Sequence, residues 1–433
     1  MAIQALLVIL AVLLVLLFLG VPISYAIAVS SLTAILSSID LNVAVLTAAQ
    51  RTFVGMSKFS LTAIPFFILA GNIMNQGGIA KRLVDFVMSI LGKLPGALLV
   101  TNIGTNALFG AISGSASAAA AAVGSMIRDG AEEQGYDPAV TAATNAASSC
   151  SGLLIPPSNA LITYSLASGG TSVAALFMAG YIPGIIWAVC CCVVGVLLAV
   201  KLGYKGTPGR FDWKNLGICT LRALPSLSLI IVVIGGIVGG VFSATEGSAI
   251  AVVYSLILAF CYRSINLKSL WKIIVDSAKM SGMVVFLVGV SNILGWVMAF
   301  LQIPDAVAAL LLGLTNNKYI ILLIMNVILL VSGTFMDVTP AILIFTPLFL
   351  PICQSFGMST IQFGMILVYN LCIGNITPPV GNALFVGIKV GRTSLEKVMP
   401  YMLMYYVAII AGLLLVTYFP AVSMALPQLT GLA

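Results

Sequence analysis

The stretch CSGLLIPPSNAL, residues 150–161, returns later in the chain as CIGNITPPVGNAL, residues 372–384. Each copy has Cys-x-Gly, three more residues, a Pro-Pro pair and then Asn-Ala-Leu, within a long apolar stretch. We call these segments box 1 and box 2. Proline and glycine interrupt helices, and an interrupted helix in a bilayer exposes backbone groups that need a partner. Interruptions at matching places in two halves of a membrane protein indicate a binding site near the midplane.

The composition predicts a protein built into the lipid bilayer. Of the 433 residues, 61% are hydrophobic and only 7% are charged, whereas a soluble domain carries about 25% charged residues. Apolar runs of about 20 residues, the length of a membrane-spanning helix, recur along the chain. The first run, Ile3 to Leu19, has no basic region before it and no cleavage site, so it is predicted to be a span. The net charge of +7 is explained by topology and does not predict a nucleic-acid partner.

The residue types argue against an enzyme. The chain has no histidine, which excludes Ser-His-Asp and Cys-His catalysis and histidine metal sites. The eight cysteines show no metal-ligand spacing and are predicted to be packing residues. An intramembrane enzyme would need paired acids, and the two acids within apolar segments, Glu246 and Asp337, fall in elements that do not match. A channel would need a continuous polar stripe, which no predicted span shows.

Other motifs repeat in the same order as the boxes. SGSASA (residues 113–118) pairs with SGTFMD (332–337), GNIM (71–74) pairs with SNIL (291–294), and GVPISYAIAV from Gly20 pairs with GVFSATEGSAIAV from Gly240. The predicted fold is therefore an all-α polytopic membrane protein with two repeats, residues 1–200 and 223–433, joined by a cytoplasmic linker at 201–222. Each repeat has five spans and one re-entrant hairpin. The spans are predicted at about 3–19, 23–39, 60–76, 138–168 and 173–200, and at about 225–242, 246–262, 281–300, 359–388 and 401–420; the hairpins are predicted at about 96–127 and 319–353.

The placement of basic residues predicts the orientation. Five crossings per half make the second repeat inverted relative to the first. With the linker in the cytoplasm, sixteen of the nineteen Lys and Arg residues lie inside, and only Arg51, Lys58 and Lys318 lie outside, as the positive-inside rule requires. Both termini are then periplasmic, the first hairpin enters from the cytoplasm and the second from the periplasm.

The interrupted elements are predicted to bind Na⁺. Helix C-termini and unwound backbone offer carbonyl oxygens to cations, and the residues around the breaks are neutral and rich in oxygen. The alternative is that small residues there serve only close helix packing. The predicted Na⁺-binding residues are Ser113, Gly114, Ser115, Gly152, Pro156, Ser158, Asn159, Ser332, Gly333, Thr334, Gly374, Thr377, Pro378, Gly381 and Asn382.

Helix N-termini at the same breaks would attract an anionic substrate. Asp337 follows the second hairpin tip, where it would neutralise a cation or touch substrate, or else cap a helix. Glu246 begins a span and is predicted to be a helix cap. With no histidine and few buried acids, Na⁺ coupling is favoured over proton coupling. The predicted substrate-binding residues are Ser115, Asn159, Thr334, Asp337, Asn375 and Asn382.

Two further charged segments are predicted at the membrane surface. Arg51 and Lys58 lie outside in an otherwise uncharged segment, either to dock an acidic partner or as interfacial anchors. Lys81 and Arg82 open an amphipathic stretch to Leu91, which predicts a helix lying in the interface.

The chain resembles the large membrane subunit of tripartite ATP-independent periplasmic (TRAP) transporters. The resemblance is carried by MSKFSLTAIPFFILAGNIMNQGGIAKRLVDF (residues 56–86), LFGAISGSASA from Leu108, GYDPAVTAATNAA from Gly135 and GNITPPVGNALFVG from Gly374. It extends over essentially the whole chain. Two places depart from the common pattern: Ser-Asn follows the first Pro-Pro, where many members have Ser-Ile-Pro, and Ser-Ala-Thr-Glu replaces the commoner Thr-Pro-Thr-Glu.

The resemblance implies an elevator-type transporter of the bacterial inner membrane that imports organic acids with Na⁺. It also implies two partners, a periplasmic substrate-binding protein and a small four-helix membrane subunit. No four-helix extension precedes Met1, so that subunit is expected as a separate chain. A sialic acid or related sugar acid is the favoured substrate, because the predicted site is rich in amides and hydroxyls, and a C4-dicarboxylate is the alternative. No cofactor is expected besides the coupling ion.

Overall fold

A computed structural model describes residues 2–206, 212–315 and 317–433, and within these ranges the regular structure is entirely helical. A four-residue 3₁₀ turn at Phe59–Thr62 precedes the fourth α-helix. The α-helices are α1 (Ala2–Phe18), α2 (Ile23–Ile35), α3 (Leu41–Met56), α4 (Ala63–Gln76), α5 (Ile79–Leu91), α6 (Ala97–Ser113), α7 (Ala116–Glu133), α8 (Pro138–Ser149), α9 (Ser151–Leu154), α10 (Asn159–Ala167), α11 (Val173–Leu202), α12 (Trp213–Val238), α13 (Ala244–Cys261), α14 (Leu267–Phe300), α15 (Ile303–Leu314), α16 (Lys318–Gly333), α17 (Val338–Ser355), α18 (Thr360–Asn375), α19 (Asn382–Val390), α20 (Leu395–Tyr418) and α21 (Pro420–Leu429).

Local sequence signals set many of the helix ends. Asp137 caps α8 by accepting a hydrogen bond from the backbone N–H of Ala139 at 2.8 Å, and Pro138 occupies the first helical position, where its missing N–H costs nothing. Gly203, in the left-handed conformation, ends α11. Asn266 and Ser269 form a capping box that begins α14.

The described residues contain six helices that are long and apolar enough to cross a membrane. These six helices are α11, α12, α13, α14, α17 and α20. Counting the bent pair of α3 with residues 59–76 as one further span makes seven. The fold is thus a multi-pass helical membrane protein, as the composition predicts. Helix α17 forms one arm of the predicted second hairpin, and most of its residues are buried within the protein.

Several elements differ from the sequence prediction. Helix α3 was not predicted, and it meets the following helical segment at a bend of 60°. Helix α14 has 34 residues and begins well before position 281. The predicted span starts too late because the first turns carry charged residues, including Lys268, Lys272 and Asp276, which mask an apolar face in the sequence. Helix α12 begins at Trp213, so the connection to α11 is shorter than the predicted linker. Residues 207–211 of that linker, including Arg210, lie outside the described residues.

Both halves contain the same order of elements around the boxes. In the first half the hairpin α6–α7 is followed by α8, α9 and α10, which box 1 interrupts. In the second half the hairpin α16–α17 is followed by α18 and α19, which box 2 interrupts. Helices α2, α3, α4, α13 and α14 pack together beside these elements. The inverted orientation of the two halves stays a prediction.

Candidate functional site

Box 1 breaks its helix over four residues. Helix α9 ends at Leu154, and residues 155–158 leave the helical conformation before α10 begins at Asn159. The buried Ser158 hydroxyl donates to the carbonyl oxygen of Leu153 and accepts from the N–H of Leu161 at 3.4 Å. Ser158 therefore ties together the two ends of the break and caps α10.

The first hairpin tip packs directly on box 1. Helix α6 ends with Gly114 in the left-handed conformation, φ +62°, and Ser115 caps α7. A Cβ atom at Gly114 would lie 3.2 Å from the carbonyl oxygen of Pro157 and 3.3 Å from the amide nitrogen of Asn159. One turn earlier, Gly110 crosses Gly152 so closely that an added Cβ would lie 2.4 Å from the Gly152 Cα. The glycines are needed for this backbone contact.

The second hairpin tip packs on box 2 in the same manner. Gly333, at the end of α16, crosses Gly374 in α18, where an added Cβ on Gly374 would lie 2.4 Å from a Gly333 backbone atom. The N–H of Val380 donates to the carbonyl oxygen of Thr334 at 3.1 Å. The hydroxyl of Tyr406, from α20, donates to the carbonyl oxygen of Ile376 at 2.6 Å. Box 2 is thus held by its own hairpin and by α20.

The two boxes also contact each other. The Cys372 Sγ lies 3.9 Å from the carbonyl oxygen of Cys150, and the Asn375 Nδ2 lies 3.8 Å from the Cys150 Sγ. Among the described residues every cysteine is a free thiol, and no group of His, Cys, Asp and Glu is arranged to hold a metal ion. The cysteines at the start of the boxes serve as small packing residues where the two halves meet.

A cavity of about 400 Å³ lies between the tips, the boxes and helices α4 and α14. Its volume is in the range of small-molecule binding sites. Seven residues that the sequence predicts for Na⁺ or substrate line this cavity: Ser113, Gly114, Ser115, Asn159, Asp337, Asn375 and Asn382.

The other predicted residues do not line the cavity. Gly152, Gly333 and Gly374 form the two backbone crossings. Thr377 uses its hydroxyl to donate to the carbonyl oxygen of Ile373 at 2.7 Å, inside the break. The remaining residues support the tips and breaks without lining the cavity: Pro156, Ser158, Ser332, Thr334, Pro378 and Gly381.

The cavity is surrounded by helix ends. Four helices present their first residues to it: α7, α10, α17 and α19. Two helices present their last residues, α6 through Ser113 and α18 through Asn375. Helix N-termini carry unpaired N–H groups and partial positive charge, and helix C-termini carry carbonyl oxygens and partial negative charge. The arrangement therefore suits an anion together with a cation.

The side chains of the cavity are neutral except for one. Asp337 is the charged residue that lines it, and among the described residues no Lys or Arg does so. The buried amide oxygens Asn159 Oδ1 and Asn375 Oδ1 have no hydrogen-bond partner among the described residues. Two amide oxygens in this state, next to helix ends, are suitable ligands for a hard cation.

The predicted set omits four polar residues that line the cavity, Asn72, Ser117, Thr163 and Thr339. Asn72 lies on α4 and donates through Nδ2 to the Ser277 hydroxyl of α14 at 2.8 Å. Asn72 belongs to the GNIM motif, and the recurrence of that motif in the second half was the sequence signal that could have marked Asn72 as a cavity residue. Ser117, Thr163 and Thr339 lie within about one helical turn of the starts of α7, α10 and α17, so counting along the helix from each tip or break would have found them.

The two acids in apolar segments have different surroundings. The Glu246 carboxylate accepts from the N–H of Ser243 at 2.7 Å and from its hydroxyl at 2.8 Å, while the Ser243 hydroxyl accepts from the N–H of Glu246. This is a capping box, so the predicted capping role of Glu246 is confirmed. Asp337 stands at the N-cap position of α17 and makes no side-chain capping bond.

A helical membrane protein in which two hairpin tips and two interrupted helices border one cavity with several polar side chains has the architecture of a secondary transporter. The sequence model of the family described as "Tripartite ATP-independent periplasmic transporter, DctM component" matches residues 10–422. The chain therefore belongs to this family of large TRAP transporter subunits, as its motifs predict.

Known relatives match over nearly the whole chain. An uncharacterized protein, YgiK, of Salmonella typhimurium is 49% identical over 95% of this chain and 94% of its own length. The C4-dicarboxylate TRAP transporter large permease protein DctM of Pseudomonas aeruginosa is 36% identical over 93% of each chain. The sialic acid TRAP transporter large permease protein SiaM of Vibrio cholerae is 32% identical over 96% of each.

A fourth relative is longer than this chain. The isethionate TRAP transporter permease protein DctMQ of Oleidesulfovibrio alaskensis is 37% identical over 94% of this chain, which spans 64% of that protein's length. The crystal structure of the YdaH transporter of Alcanivorax borkumensis, described as having an unusual topology, superposes with a TM-score of 0.62. The sequences are 15% identical over 88% of each chain, so this likeness shows the fold alone.

Proposed function

We propose that this chain catalyses Na⁺-coupled uptake of an organic acid across the bacterial inner membrane, with both of its termini in the periplasm. The observation that carries the proposal is the single cavity onto which four helix N-termini and two helix C-termini open. An anionic substrate would be held by the N–H groups and by hydroxyl and amide side chains, because no basic side chain of the described residues lines the cavity.

Na⁺ is cargo in this proposal and would bind at the helix C-termini. In the first half, Ser113 and Asn159 supply carbonyl and amide oxygens beside box 1. In the second half, Asn375 would supply an amide oxygen and Asp337 a carboxylate oxygen beside box 2. Bound Na⁺ would order the tips and thereby favour the state that binds the anion, since a ligand biases an equilibrium through its different affinity for the two states.

The substrate is proposed to be a sialic acid or a related sugar acid, delivered by a periplasmic binding protein. The amides and hydroxyls of the cavity support a polyhydroxylated acid, and the sialic acid relative is consistent with it. A C4-dicarboxylate is the alternative, supported by the DctM relative. A small four-helix membrane subunit is the second proposed partner, as a separate chain.

The test is uptake into proteoliposomes that contain the chain, its small subunit and its binding protein. Labelled N-acetylneuraminate and succinate are compared under an inward Na⁺ gradient and under an inward proton gradient in K⁺. Asn159→Ala and Asn382→Ala are each expected to reduce Na⁺-driven uptake at least tenfold, whereas Asn215→Ala, an exposed residue of α12, retains the wild-type rate. Uptake driven by protons without Na⁺, or full activity of both cavity variants, would contradict the proposal.

A further inference from the structure

A second cavity, of about 370 Å³, lies beside the two basic residues Arg51 and Lys58. One wall is formed by α3 and α14, and the opposite wall by the end of α10 and by α17 through Leu166 and Leu343. Its walls therefore come from two different groups of packed helices. The function proposed above does not use this cavity.

The charge of this cavity is positive and uncompensated. No acidic side chain of the described residues lines it, and neither Arg51 nor Lys58 forms an ion pair among those residues. The Arg51 guanidinium lies 5.7 Å from the ring centroid of Trp296, a contact that leaves its charge unneutralised. Basic groups along a concave, low-dielectric wall concentrate anions from solution.

The basic wall is held in place by close packing of α3 on α14. A Cβ atom at Gly55 would lie 2.5 Å from the amide nitrogen of Asn292, and one at Gly289 would lie 2.5 Å from the Met56 side chain. Arg51 is one turn before Gly55 on α3. Its position relative to Asn292 and Trp296 is therefore set by the close packing of the two helices.

The cavity is also amphiphilic. The buried side chains of Val288, Ser291 and Leu343 form its floor, and the half-buried Asn292 and Trp296 form its side. An organic anion can place a carboxylate near Arg51 and Lys58 and its carbon skeleton against the ring and the aliphatic side chains. A recessed floor of this kind suits a small molecule better than the surface of a protein.

The two cavities lie at successive levels of the same helix. Met280 and Val284 of α14 line the first cavity, and Ser291 and Trp296 line the second. The seven residues from Val284 to Ser291 span about 10 Å along a helix axis. Helix α10 also borders both cavities, with Thr163 at the first and Leu166 at the second.

We propose that the second cavity is an anion-binding site that receives the organic acid before it moves to the first cavity. The proposal rests on the transport of an anion proposed above and adds a place where that anion first binds. The positive-inside rule predicts that Arg51 and Lys58 lie on the periplasmic face, the side from which an imported substrate arrives. The second cavity carries positive charge, whereas no basic side chain described at the first cavity does. The anion is therefore attracted to the second cavity and is not held by a basic residue in the first.

Trp296 reports directly on this site. Of the other tryptophans, Trp213 and Trp271 are exposed and Trp187 is fully buried, so a Trp213→Phe, Trp271→Phe background leaves Trp296 as the residue that aqueous quenchers reach. Iodide is the anionic probe, caesium the cationic probe and acrylamide the neutral one, with the full chain alone in detergent micelles, so that no other protein contributes tryptophan fluorescence. With each constant divided by its value for free N-acetyltryptophanamide, iodide is expected to quench Trp296 at least threefold more strongly than caesium.

Removing the charges should abolish that preference. Arg51→Gln with Lys58→Gln is expected to lower the iodide quenching constant at least threefold and to leave the acrylamide constant unchanged. Lys58→Gln alone gives an intermediate value and serves if the double variant does not fold. Lys318→Gln, the other basic residue predicted outside, is the matched control and has no effect. Equal iodide quenching before and after removal of both charges would overturn the proposal.

Ligand competition and transport complete the test. Succinate or N-acetylneuraminate is expected to reduce iodide quenching, and protection by neither would overturn the site.

In uptake assays at low ionic strength, the double variant should raise KM for substrate about fivefold or more and keep the maximal rate, in line with the concentrating effect of such a cavity. If it instead raised only the concentration of binding protein needed, with quenching unchanged, Arg51 and Lys58 would be a protein-docking surface. Uptake by the wild-type chain that does not depend on Na⁺ would refute the proposed function, and the quenching result for the second cavity would still stand.

Discussion

Box 1 and box 2 look alike in sequence but cap their helices differently. In the first half, both helices that start at the cavity are capped by serines: Ser115 accepts from the N–H of Ala118, and Ser158 accepts from the N–H of Leu161. In the second half, neither α17 nor α19 has a side-chain capping bond. Uncapped N-termini keep N–H groups available for an anion. The comparison predicts that the second half binds the substrate more directly than the first.

One inserted residue accounts for the difference at the boxes. Box 1 has Ser158 alone between Pro-Pro and Asn, whereas box 2 has Val380 and Gly381. The N–H of Val380 bonds to the hairpin tip at Thr334, and Gly381 takes a φ of +20°, which residues with a side chain rarely adopt. The insertion therefore replaces a capping hydroxyl with a link between break and tip.

The glycine crossings test whether the two halves are equivalent in packing. Gly110→Ala and Gly374→Ala each place a methyl group 2.4 Å from backbone atoms of the facing helix. Overpacking of this kind costs up to about 3 kcal/mol, so each variant is expected to lower the thermal unfolding midpoint in detergent and to abolish uptake. Gly130→Ala in α7, where an added Cβ meets no atom within 4 Å, is the matched control. A wild-type midpoint for either crossing variant would show that its tip does not pack on its box.

Asp337 distinguishes the halves by charge. Asp337→Asn removes the charged side chain that lines the first cavity, and we expect the Na⁺ concentration for half-maximal uptake to rise at least tenfold, which corresponds to about 1.4 kcal/mol. Asp305→Asn, in the first turn of α15, removes an acid elsewhere and should leave this concentration unchanged. A normal Na⁺ dependence of the Asp337 variant, measured at several substrate concentrations, would show that the Na⁺ ions proposed beside box 1 and box 2 are both held by uncharged oxygen ligands.

Sequence reasoning picked out residues that line the first cavity because breakers are a local signal. Pro-Pro, Gly-rich tips and the Asn residues stand out within apolar helices, and residues such as Asn159 and Asn375 do line the cavity. The same reasoning could not separate lining residues from supporting ones. Ser158 and Asn159 are neighbours, yet the Ser158 hydroxyl bonds across the break while the Asn159 amide borders the cavity.

Contacts between distant segments were also beyond the sequence. The bend between α3 and the segment at 59–76 depends on how these helices pack on α13 and α14, and no breaker pattern marks it. Asn72 reaches the cavity only because α4 packs beside α14, to which its amide is bonded. Such residues are determined by tertiary packing, which an apolar sequence of uniform composition specifies weakly.

Removing a cap tests the stated difference between the boxes. Ser158→Ala deletes the side chain that caps α10 and bonds to Leu153, so a loss of stability of about 1 kcal/mol is expected. Because Ser158 does not line the cavity, Na⁺ affinity should change less than threefold. The midpoint of thermal unfolding and the Na⁺ dependence of uptake are measured on the same preparation. A stable variant with tenfold weaker Na⁺ binding would show that Ser158 belongs to the Na⁺ site, as the sequence predicts.

Glu246 gives the smallest effect, and it separates the two intramembrane acids. Glu246→Gln keeps a side-chain oxygen that can accept from the N–H of Ser243, since Gln also serves in a capping box, and it loses only the attraction between the carboxylate and the helix N-terminus. That attraction is weak at an exposed carboxylate, so the thermal midpoint should fall slightly and less than in Ser243→Ala, which removes the cap itself. Na⁺-driven uptake should be unchanged in both, because neither residue lines the cavity. An altered Na⁺ dependence in Glu246→Gln alone would mean that a charge outside the cavity contributes to coupling, and Asp337 would then share that role with a second acid of the same half.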